Sequence, residues 1–588
     1  MLFPRCVMPT LLLLLLSLLS CSSDSVYPYT IIKNDTYSTR LYTLPTGVKL
    51  YITRTADRPR ISASLYMPRA AVDALDTLFT PSVYSSEYPL LFARIGTDVS
   101  NLFDYRGSAI VSNDIPSNEL ENWAVIMQGS FTAFPDSLSI ILFGDVVYDD
   151  AVATLSHVFS DSSSLSISSD GCHDDAISLL KHIRSQLAEN IPVDDALKTV
   201  ASSDIRPEAK NVIKLLPSPP AKVIFPETDK LKIKSTSGQP RMVVAENGDA
   251  LYTFLVRTHF KELPASFLQL IKEYFHTSFD EINDSVASVA KADIDKNDRA
   301  LYFTLSGCER DMSQRLTRSF SILKKLADGD KFYEYLQKND NAIESSKKSK
   351  ENIALQVAPY ITADKRISGL REMAKYSMDA LFTQSSELLF CGKDASNAHS
   401  LYIDILSPAI SPTLCNVSSA GDTMARYMLL PLDADSMTTV TYATPYESVE
   451  DIAMIKLFNK AAALSKTVQK ALFYPEGTLL VAGNNAPISR EEFEAAKSFL
   501  LYDISTQGSD GVSLIKEHIS YIKCGYTSSQ LYDALVRISF ADIKEFYKRH
   551  NENCVTQLII GRESDFDIRK FVKRGRVVHL TSDELFGY

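Results

Sequence analysis

Apolar and polar positions follow two rhythms along the chain, and each rhythm predicts one kind of element. Residues 60–67 (RISASLYM) alternate between polar and apolar side chains, which is typical of a strand with one buried face. Residues 118–129 instead carry apolar side chains at intervals of three and four, which is typical of a helix with one buried stripe. Both patterns recur further on, so the sequence predicts an alternation of strands and long helices.

The predicted elements fall into blocks of similar order. Strands are predicted at 41–53 (two, around the turn 45–47), 60–67, 139–143, 251–256, 285–305, 401–406, 437–443 and 555–560. Helices are predicted at 118–129, 149–159, 264–275, 311–327, 448–464, 489–504 and 541–550. The predicted fold class is therefore α+β, with one module used about three times and helices packed on mainly antiparallel sheets.

The first residues predict a targeting signal. Arg5 precedes an apolar run at 11–19, which is too short to cross a roughly 30 Å hydrocarbon core but suits a secretory signal. Residues 18–21 (LLSC) resemble the bacterial lipobox, so Cys21 is the predicted lipidation site. The alternative is ordinary signal cleavage beside an incidental cysteine. We expect a lipid-anchored protein of the bacterial cell envelope, at the outer membrane, on its periplasmic or its surface face.

Changes in composition predict the limits of the modules. Residues 161–171 are rich in serine, and residues 216–227 contain four prolines, which exclude a continuous helix. A third break is predicted at 407–421. We therefore expect a signal peptide at 1–20, a tether at 21–37, and modules at 38–216, 228–406 and 416–588.

The overall composition is that of a folded, acidic protein. Of the 588 residues, 45% are hydrophobic and 23% are charged, which argues against a largely disordered chain. The net charge of −11 lacks the basic footprint of a nucleic-acid binder, so no nucleic-acid partner is expected. The sequence contains no G-x-S-x-G elbow, no dinucleotide fingerprint and no P-loop.

The cysteines suggest neither a zinc ribbon nor a thioredoxin-like site. Once Cys6 is removed with the signal and Cys21 is lipidated, the remaining ones are Cys172, Cys308, Cys391, Cys415, Cys524 and Cys554. They are far apart and include no C-x-x-C pair. Disulfides and buried thiols both stay open, because the sequence does not choose a pairing.

Several segments, in this order along the chain, resemble the insulinase or pitrilysin type of zinc peptidase, in particular its bacterial lipoprotein branch. Residues 42–51 (YTLPTGVKLY) are similar to that family's first hairpin, and residues 58–67 to its second strand. Further similar segments lie at 95–101, 113–123, 142–146, 488–501, 543–547 and 580–588. The resemblance implies peptidase-like modules around a chamber for unfolded peptides, with a zinc ion as cofactor.

The zinc site that the resemblance implies has no ligands in this sequence. The family's signature is an inverted H-x-x-E-H on a helix, which should lie within residues 67–91, and this interval contains no histidine. The first histidine after the predicted signal is His157. We therefore predict no catalytic residue, no metal ligand and no cofactor-binding residue, and proteolysis by the family's mechanism is not expected.

Three other segments contain residue types that bind metals, but each has a simpler interpretation. Residues 172–175 (CHDD) are adjacent residues that rarely converge on one ion, which favours a loop or a helix cap. His259 and Glu262 form an H-x-x-E, but Leu263 follows where a second histidine is needed. Residues 293–304 begin like a calcium loop but lack its glycine and its final glutamate, which favours a turn between strands.

Two further features are predicted to be structural. Residues 347–350 (KKSK) are interpreted as a solvated basic turn. Trp123 is the only tryptophan and lies on the apolar stripe of a predicted helix, which favours a core anchor over a ligand-stacking role.

Three functions follow as expectations. The first is a non-catalytic, insulinase-like envelope lipoprotein that serves as the inactive partner subunit of an active zinc peptidase of the same family. The second is a stand-alone lipoprotein that binds unfolded peptides or assists envelope assembly. The third is a zinc metallopeptidase with an unrecognised site. The expected partners are thus an active insulinase-family subunit, an unfolded peptide, and the membrane through the lipid anchor.

Overall fold

A computed structural model shows an α+β fold with three large sheets flanked by helices. It describes residues 26–32, 38–55, 59–66, 88–98, 104–106, 109–130, 138–159, 215–218, 221, 223–227, 230–234, 238–246, 251–283, 289–362, 366–410, 412, 417–418, 426–433, 437–465, 471–482, 488–508 and 511–588. Within that part of the chain, no helix is long and apolar enough to cross a membrane.

The helices and strands are as follows. The helices are α1 (Tyr88–Arg94), α2 (Leu120–Ser130), α3 (Tyr148–Val158), α4 (Ala265–Asn283), α5 (Met312–Leu326), α6 (Gly329–Lys338), α7 (Asp340–Lys348), α8 (Lys350–Thr362), α9 (Leu370–Ala380), α10 (Ala395–Leu406), α11 (Val449–Leu464), α12 (Arg490–Ser505), α13 (Gly511–Cys524), α14 (Ser528–Arg537), α15 (Phe540–Glu552), α16 (Ile568–Val572) and α17 (Ser582–Phe586). The strands are β1 (Thr30–Ile31), β2 (Arg40–Thr43), β3 (Lys49–Arg54), β4 (Arg60–Tyr66), β5 (Asp104–Arg106), β6 (Ala109–Pro116), β7 (Ser139–Gly144), β8 (Lys232–Lys234), β9 (Met242–Ala245), β10 (Leu251–His259), β11 (Val289–Asp295), β12 (Ala300–Cys308), β13 (Arg366–Ile367), β14 (Glu387–Cys391), β15 (Val417–Ser418), β16 (Tyr427–Pro431), β17 (Thr438–Tyr442), β18 (Ala471–Phe473), β19 (Thr478–Ala482), β20 (Thr556–Gly561) and β21 (Val577–His579).

The chain divides into two compact units. The first comprises residues 1–83, 99–180 and 195–221, and the second comprises residues 84–98, 181–194 and 222–588. The first unit contains the N-terminal sheet, with the strand order β1-β2-β3-β7-β4-β6-β5. The second unit contains the middle sheet, ordered β11-β12-β10-β14-β9-β8, and the C-terminal sheet, ordered β18-β19-β17-β20-β16-β21.

The three large sheets share one pattern of strand pairing. In each, an early strand pairs in parallel with a strand that comes late in the module: β3 with β7, β9 with β14, and β16 with β20. That late strand then pairs antiparallel with the next early strand, namely β4, β10 and β17. Most other pairs are antiparallel, so the prediction of a repeated α+β module with mainly antiparallel sheets is confirmed.

Most predicted elements are present with limits shifted by a few residues, but one is wrong. Residues 401–406 were expected to form a strand, yet they end helix α10. Asp394 caps this helix by accepting a hydrogen bond from the backbone N–H of Asn397, and its buried residues, spaced three or four apart, are Ala395, Ala398, Tyr402 and Leu406. A short apolar run fits a strand and a buried helix equally well, so the pattern in this window was ambiguous.

The core of the middle module lies between one face of its sheet and the helices that cover it. Phe254 on β10 packs against Phe320 of α5 and Tyr402 of α10, with ring centroids 5.3 Å and 6.1 Å away. Because side chains alternate along a strand, the residues of β10 directly before and after Phe254 point to the opposite face of the sheet. That opposite face carries the charged residues described next.

Candidate functional site

A tight turn in the middle sheet gathers charged side chains. Strand β11 ends at Asp295 and strand β12 begins at Ala300. Oδ1 of Asp295 accepts backbone N–H bonds from Asn297 (3.0 Å) and Asp298 (3.1 Å), which fixes the turn. The residues that began like a calcium loop therefore form a turn between two strands, and that prediction is confirmed.

An ion pair joins this turn to strand β10. Nη2 of Arg257 donates to Oδ2 of Asp298 at 2.5 Å, and only 11% and 12% of the two side chains are exposed. Burial alone would raise the pKa of Asp298, but hydrogen bonds from His259 and Arg257 outweigh it and lower the pKa below its usual value. Asp298 is thus held as a carboxylate inside the protein.

The ion pair extends in both directions into a longer network. Nε2 of His259 lies 3.4 Å from Oδ1 of Asp298, and about a third of this imidazole side chain is exposed. On the other side, Nη1 of Arg257 lies 3.6 Å from Oε2 of Glu387, its direct neighbour on strand β14. Nε2 of His518 lies 3.3 Å from Oε1 of Glu387. We refer to Arg257, His259, Asp298, Glu387 and His518 as the buried charge network.

Helix α13 covers this face of the sheet and supplies His518. Leu514 and Ile515 of α13 pack in one apolar cluster with Val243, Leu389 and Cys391 of the sheet. The helix approaches closely at Gly511, where a Cβ atom would overlap the Sγ of Cys391. Because the spacing between helix and sheet is small, a histidine one turn beyond Leu514 reaches the carboxylate of Glu387.

Further ion pairs join the same turn to neighbouring elements. Asp295 pairs with Lys523 of α13, and Lys296 pairs with Glu351 of α8 at 2.9 Å. Arg299 has a positive φ of 49° and donates from Nη1 to the carbonyl oxygen of Lys261 at 2.7 Å. Helices α8 and α13, strand β10 and the loop after that strand therefore meet around residues 295–299.

A second acidic group lies close to Arg299. Burial raises the pKa of Glu476, which lies in the turn between β18 and β19, and the charge of Arg299 opposes this shift. Burial also lowers the pKa of Arg299, opposed by the charges of Glu476 and Glu262. Arg299 in the turn of the middle sheet and Glu476 in the turn of the C-terminal sheet thus compensate each other's charge.

The chemistry of the buried charge network is that of compensated charges with one accessible imidazole. Within the described residues, no group of three or more His, Cys, Asp or Glu side chains is placed to hold a metal ion. The network joins strands β10 and β14, the turn after β11 and helix α13.

The structure separates His259 from Glu262, the two residues of the H-x-x-E segment. His259 contacts Asp298, whereas Oε2 of Glu262 accepts a hydrogen bond from the Tyr376 hydroxyl at 2.9 Å. This bond and burial, which has the larger effect, raise the pKa of Tyr376. The two residues of this segment thus contact different partners.

Trp123 is fully buried in α2, which confirms the interpretation of this residue as a core anchor.

The prediction of a solvated basic turn at 347–350 is wrong for Lys347. This residue lies in α7 with only 7% of its side chain exposed, and its Nζ pairs with Asp583 of α17 at 2.7 Å. The acceptor itself is exposed (76% of its side chain), so the lysine side chain is buried along its length while its Nζ reaches a carboxylate at the surface.

The other predicted sites lie outside the described residues: Cys21, residues 172–175, and residues 67–87 of the interval where the family's zinc helix belongs. Among the cysteines, Cys391, Cys524 and Cys554 are thiols in the structure.

Arg257, Glu387 and His518 are the members of the network that the sequence analysis did not single out. Glu387 and His518 are separated by 131 positions, and neither of their elements, strand β14 and helix α13, is among the predicted helices and strands. A polar residue beside apolar ones was the only signal available, and such a residue does not identify its partner.

Comparisons with known proteins bear on the fold alone. No family model and no curated protein matches the sequence. Among solved structures, pitrilysin is similar with a TM-score of 0.42 and 7% identity, over 95% of this chain and 98% of that one. A protease from Helicobacter pylori is similar with a TM-score of 0.41 and 10% identity, over 56% of this chain and 98% of that one.

A third structure is the first half of the periplasmic protease PqqL from Escherichia coli. It is similar with a TM-score of 0.36 and 12% identity, over 57% of this chain and 92% of that one.

Proposed function

We propose that this chain is a non-catalytic, insulinase-like envelope lipoprotein that serves as the inactive partner subunit of an active zinc peptidase. The observation that carries the proposal is a combination: the repeated α+β modules are present, and no two histidines anywhere in the sequence are four positions apart. Both ligand orders of this peptidase chemistry, H-x-x-E-H and H-E-x-x-H, need that spacing on a helix.

The physical basis is that this fold does not depend on a metal. The sheets are held by their ladders and by apolar cores such as the one around Phe254, and the charges on the opposite face of the middle sheet compensate one another. A scaffold of this kind keeps its shape when zinc ligands are lost, so it can still contribute surface to a peptide-enclosing assembly.

The envelope location in this proposal rests on Cys21. A cysteine that carries several acyl chains anchors a protein stably, since each buried CH₂ group contributes about 0.8 kcal/mol. Labelling with radioactive palmitate, followed by membrane fractionation, tests it. We expect the wild-type chain to be labelled and recovered with outer membranes, and the Cys21→Ser chain to be unlabelled and soluble. An unlabelled wild-type chain rejects the anchor.

The partner role is tested by affinity purification from the native host, together with metal analysis and a peptidase assay on an unfolded substrate. We expect the purified chain alone to contain no stoichiometric zinc and to leave the substrate intact, and a protein with an H-x-x-E-H sequence to co-purify. A monomer that binds unfolded peptide without a partner supports the stand-alone alternative instead. Stoichiometric zinc with chelator-sensitive hydrolysis overturns the non-catalytic assignment.

A further inference from the structure

A compact basic surface lies at the C-terminal end of the second unit. Residues 568–576 (IRKFVKRGR) form helix α16 and the turn after it, and they contain five cations and no acidic residue in a chain whose net charge is −11. The five cations, all of them exposed, are Arg569, Lys570, Lys573, Arg574 and Arg576. We refer to residues 568–576 as the basic tip.

The tip is held in place from its inner side. The ring of Phe571 packs against Tyr427 with centroids 5.4 Å apart, and the backbone N–H groups of Arg426 and Tyr427 donate to the carbonyl oxygen of Arg576 at 3.2 Å and 3.0 Å. A Cβ atom at Gly575 would overlap the side chain of Arg426, so this exposed arginine lies directly beside the turn as a further cation.

The outer side of the tip combines charge with apolar surface. With Phe571 turned inward, helical geometry directs Arg569, Val572 and Lys573 away from the core. Val572 is 60% exposed and Ile568 is 39% exposed. Lys570 is paired with Asp567 at 3.2 Å, whereas Arg569, Lys573 and Arg574 form no ion pair with any described residue.

This combination matches an anionic lipid surface. Each lysine or arginine near such a surface contributes about 1 kcal/mol of attraction, and protruding aliphatic side chains add the energy of partial insertion. The whole chain contains 61 basic and 72 acidic residues, so its other surfaces are on balance repelled by the same lipid, which favours an orientation with the tip facing the membrane. An acidic protein surface would attract the same cations, and the test below treats that outcome as contrary to the proposal.

We propose that the basic tip docks the second unit onto the headgroups of anionic phospholipids. This contact goes beyond the proposed function and does not rest on the lipid anchor. The test therefore uses the mature chain with Cys21→Ser, which carries no acyl group, so that failure of the anchor and failure of the tip are distinguished.

The experiment is co-sedimentation with vesicles of phosphatidylcholine alone or mixed with phosphatidylglycerol. We expect binding only to the mixed vesicles, weakening as salt is raised. The variant Arg569→Gln with Lys573→Gln and Arg574→Gln is expected to bind on the order of 100-fold more weakly, since three contributions of about 1 kcal/mol are lost. Val572→Ser is expected to weaken the binding that remains at high salt.

The matched control removes the same charge from scattered positions, with Lys348→Gln, Arg490→Gln and Lys548→Gln. These side chains are 64%, 80% and 65% exposed. We expect the control to bind vesicles within a factor of a few of the unmodified chain, and both triple variants to show unchanged circular dichroism. No binding to anionic vesicles, equal losses in the two triple variants, or capture of an acidic polypeptide in place of vesicles overturns the proposal.

Discussion

Arg257 on strand β10 and Asp298 in the turn after strand β11 form an ion pair of 2.5 Å whose two side chains are almost nine-tenths buried. Taking both charges out of water is costly, and the pair repays that cost only while both partners are present. The guanidinium also faces Glu387 on strand β14, so it links the carboxylate of this turn to the carboxylate of Glu387.

Replacing one partner of this pair should destabilise the second unit strongly. In Asp298→Asn, Arg257 and His259 lose the carboxylate that compensates them, and we expect the free energy of unfolding to fall by about 3 kcal/mol. Chemical denaturation followed by circular dichroism measures the change. The control is Asp293→Asn on the same hairpin, whose side chain is 61% exposed and pairs with Lys272 at 3.3 Å. It should lose less than about 0.5 kcal/mol. Equal effects of the two variants contradict a special role for the buried pair.

His550 gives the fold a defined sensitivity to acid. Burial lowers the pKa of this imidazole to about 4, opposed by a hydrogen bond with the backbone of Thr441, and its Nδ1 lies 2.6 Å from the hydroxyl oxygen of Tyr446. The folded state binds this proton more weakly than the unfolded state does. The contribution of His550 to the free energy of unfolding is therefore complete above about pH 6.5 and is lost as the pH falls towards 4.

The substitution His550→Phe isolates this contribution. We expect it to destabilise the protein at neutral pH, because the bond to Tyr446 is lost, but to remove part of the decline between about pH 6.5 and pH 4. Between these two pH values the free energy of unfolding should fall by on the order of 3 kcal/mol less in the variant than in the wild-type chain. Melting temperatures across this range provide the measurement, and His579→Gln, at an exposed position, is the control. Parallel pH curves for His550→Phe and the wild-type chain would falsify the assignment.

Tyr588 secures the last residues of the sequence to the middle module. Its hydroxyl lies 2.7 Å from the Ser266 hydroxyl and 3.3 Å from that of Ser346, and its ring packs edge-on against Phe267. Tyr588→Phe keeps the ring but leaves two buried hydroxyls with one partner fewer, so we expect a loss of about 1 kcal/mol. Thermal unfolding tests this against Tyr521→Phe, whose side chain is half exposed. No difference between the two variants contradicts the anchoring role of the hydroxyl.

Asn122 holds part of the proline-rich segment against helix α2 in the first unit. Its Oδ1 accepts from the backbone N–H of Leu216 at 2.7 Å, and its Nδ2 donates to the Leu216 carbonyl oxygen at 3.1 Å and to the Ser218 hydroxyl at 2.8 Å. Glu119 completes the contact by accepting from the hydroxyl of Ser218 at 2.7 Å.

Asn122→Ala removes these bonds, so the segment around Leu216 should open more often and be cut faster. We expect limited proteolysis near residues 215–218 to accelerate by roughly tenfold, in line with the loss of more than one hydrogen bond. The neighbouring Asn118→Ala serves as control, since the bond from its Nδ2 to Glu119 is long at 3.4 Å. Mass spectrometry of the fragments locates the cut, and unchanged cleavage in Asn122→Ala rejects the role of this side chain.

The sequence predicted the elements whose pattern is long and regular, and it failed where the signal was short or distant. Helix α12 was predicted almost to the residue because its apolar stripe is long and its Ser489–Glu492 capping box is local, and the box is present in the structure. The end of helix α10 was mistaken for a strand because its last six residues, taken alone, fit both the two-residue period of a strand and the 3.6-residue period of a helix.

The contacts that define the candidate site were beyond prediction for a different reason. Arg257, Asp298 and Glu387 come from three places in the chain, and their meeting depends on the register of β10 against β14 and on the turn after β11. Lys347 was expected in solvent because its acceptor, Asp583, lies 236 positions away. Partners at such distances leave no local trace in one sequence.

The parallel pairing of β3 with β7 imposes an order on folding. Strand β7 lies between β3 and β4, and its Ser139 pairs with Lys49 of β3. The N-terminal sheet therefore cannot be completed until the chain as far as β7 is present. The same delay applies to β9 with β14 and to β16 with β20, and such non-local closures are slow. Each sheet therefore stays incomplete, with open strand edges that can pair with other chains, until its late strand has joined.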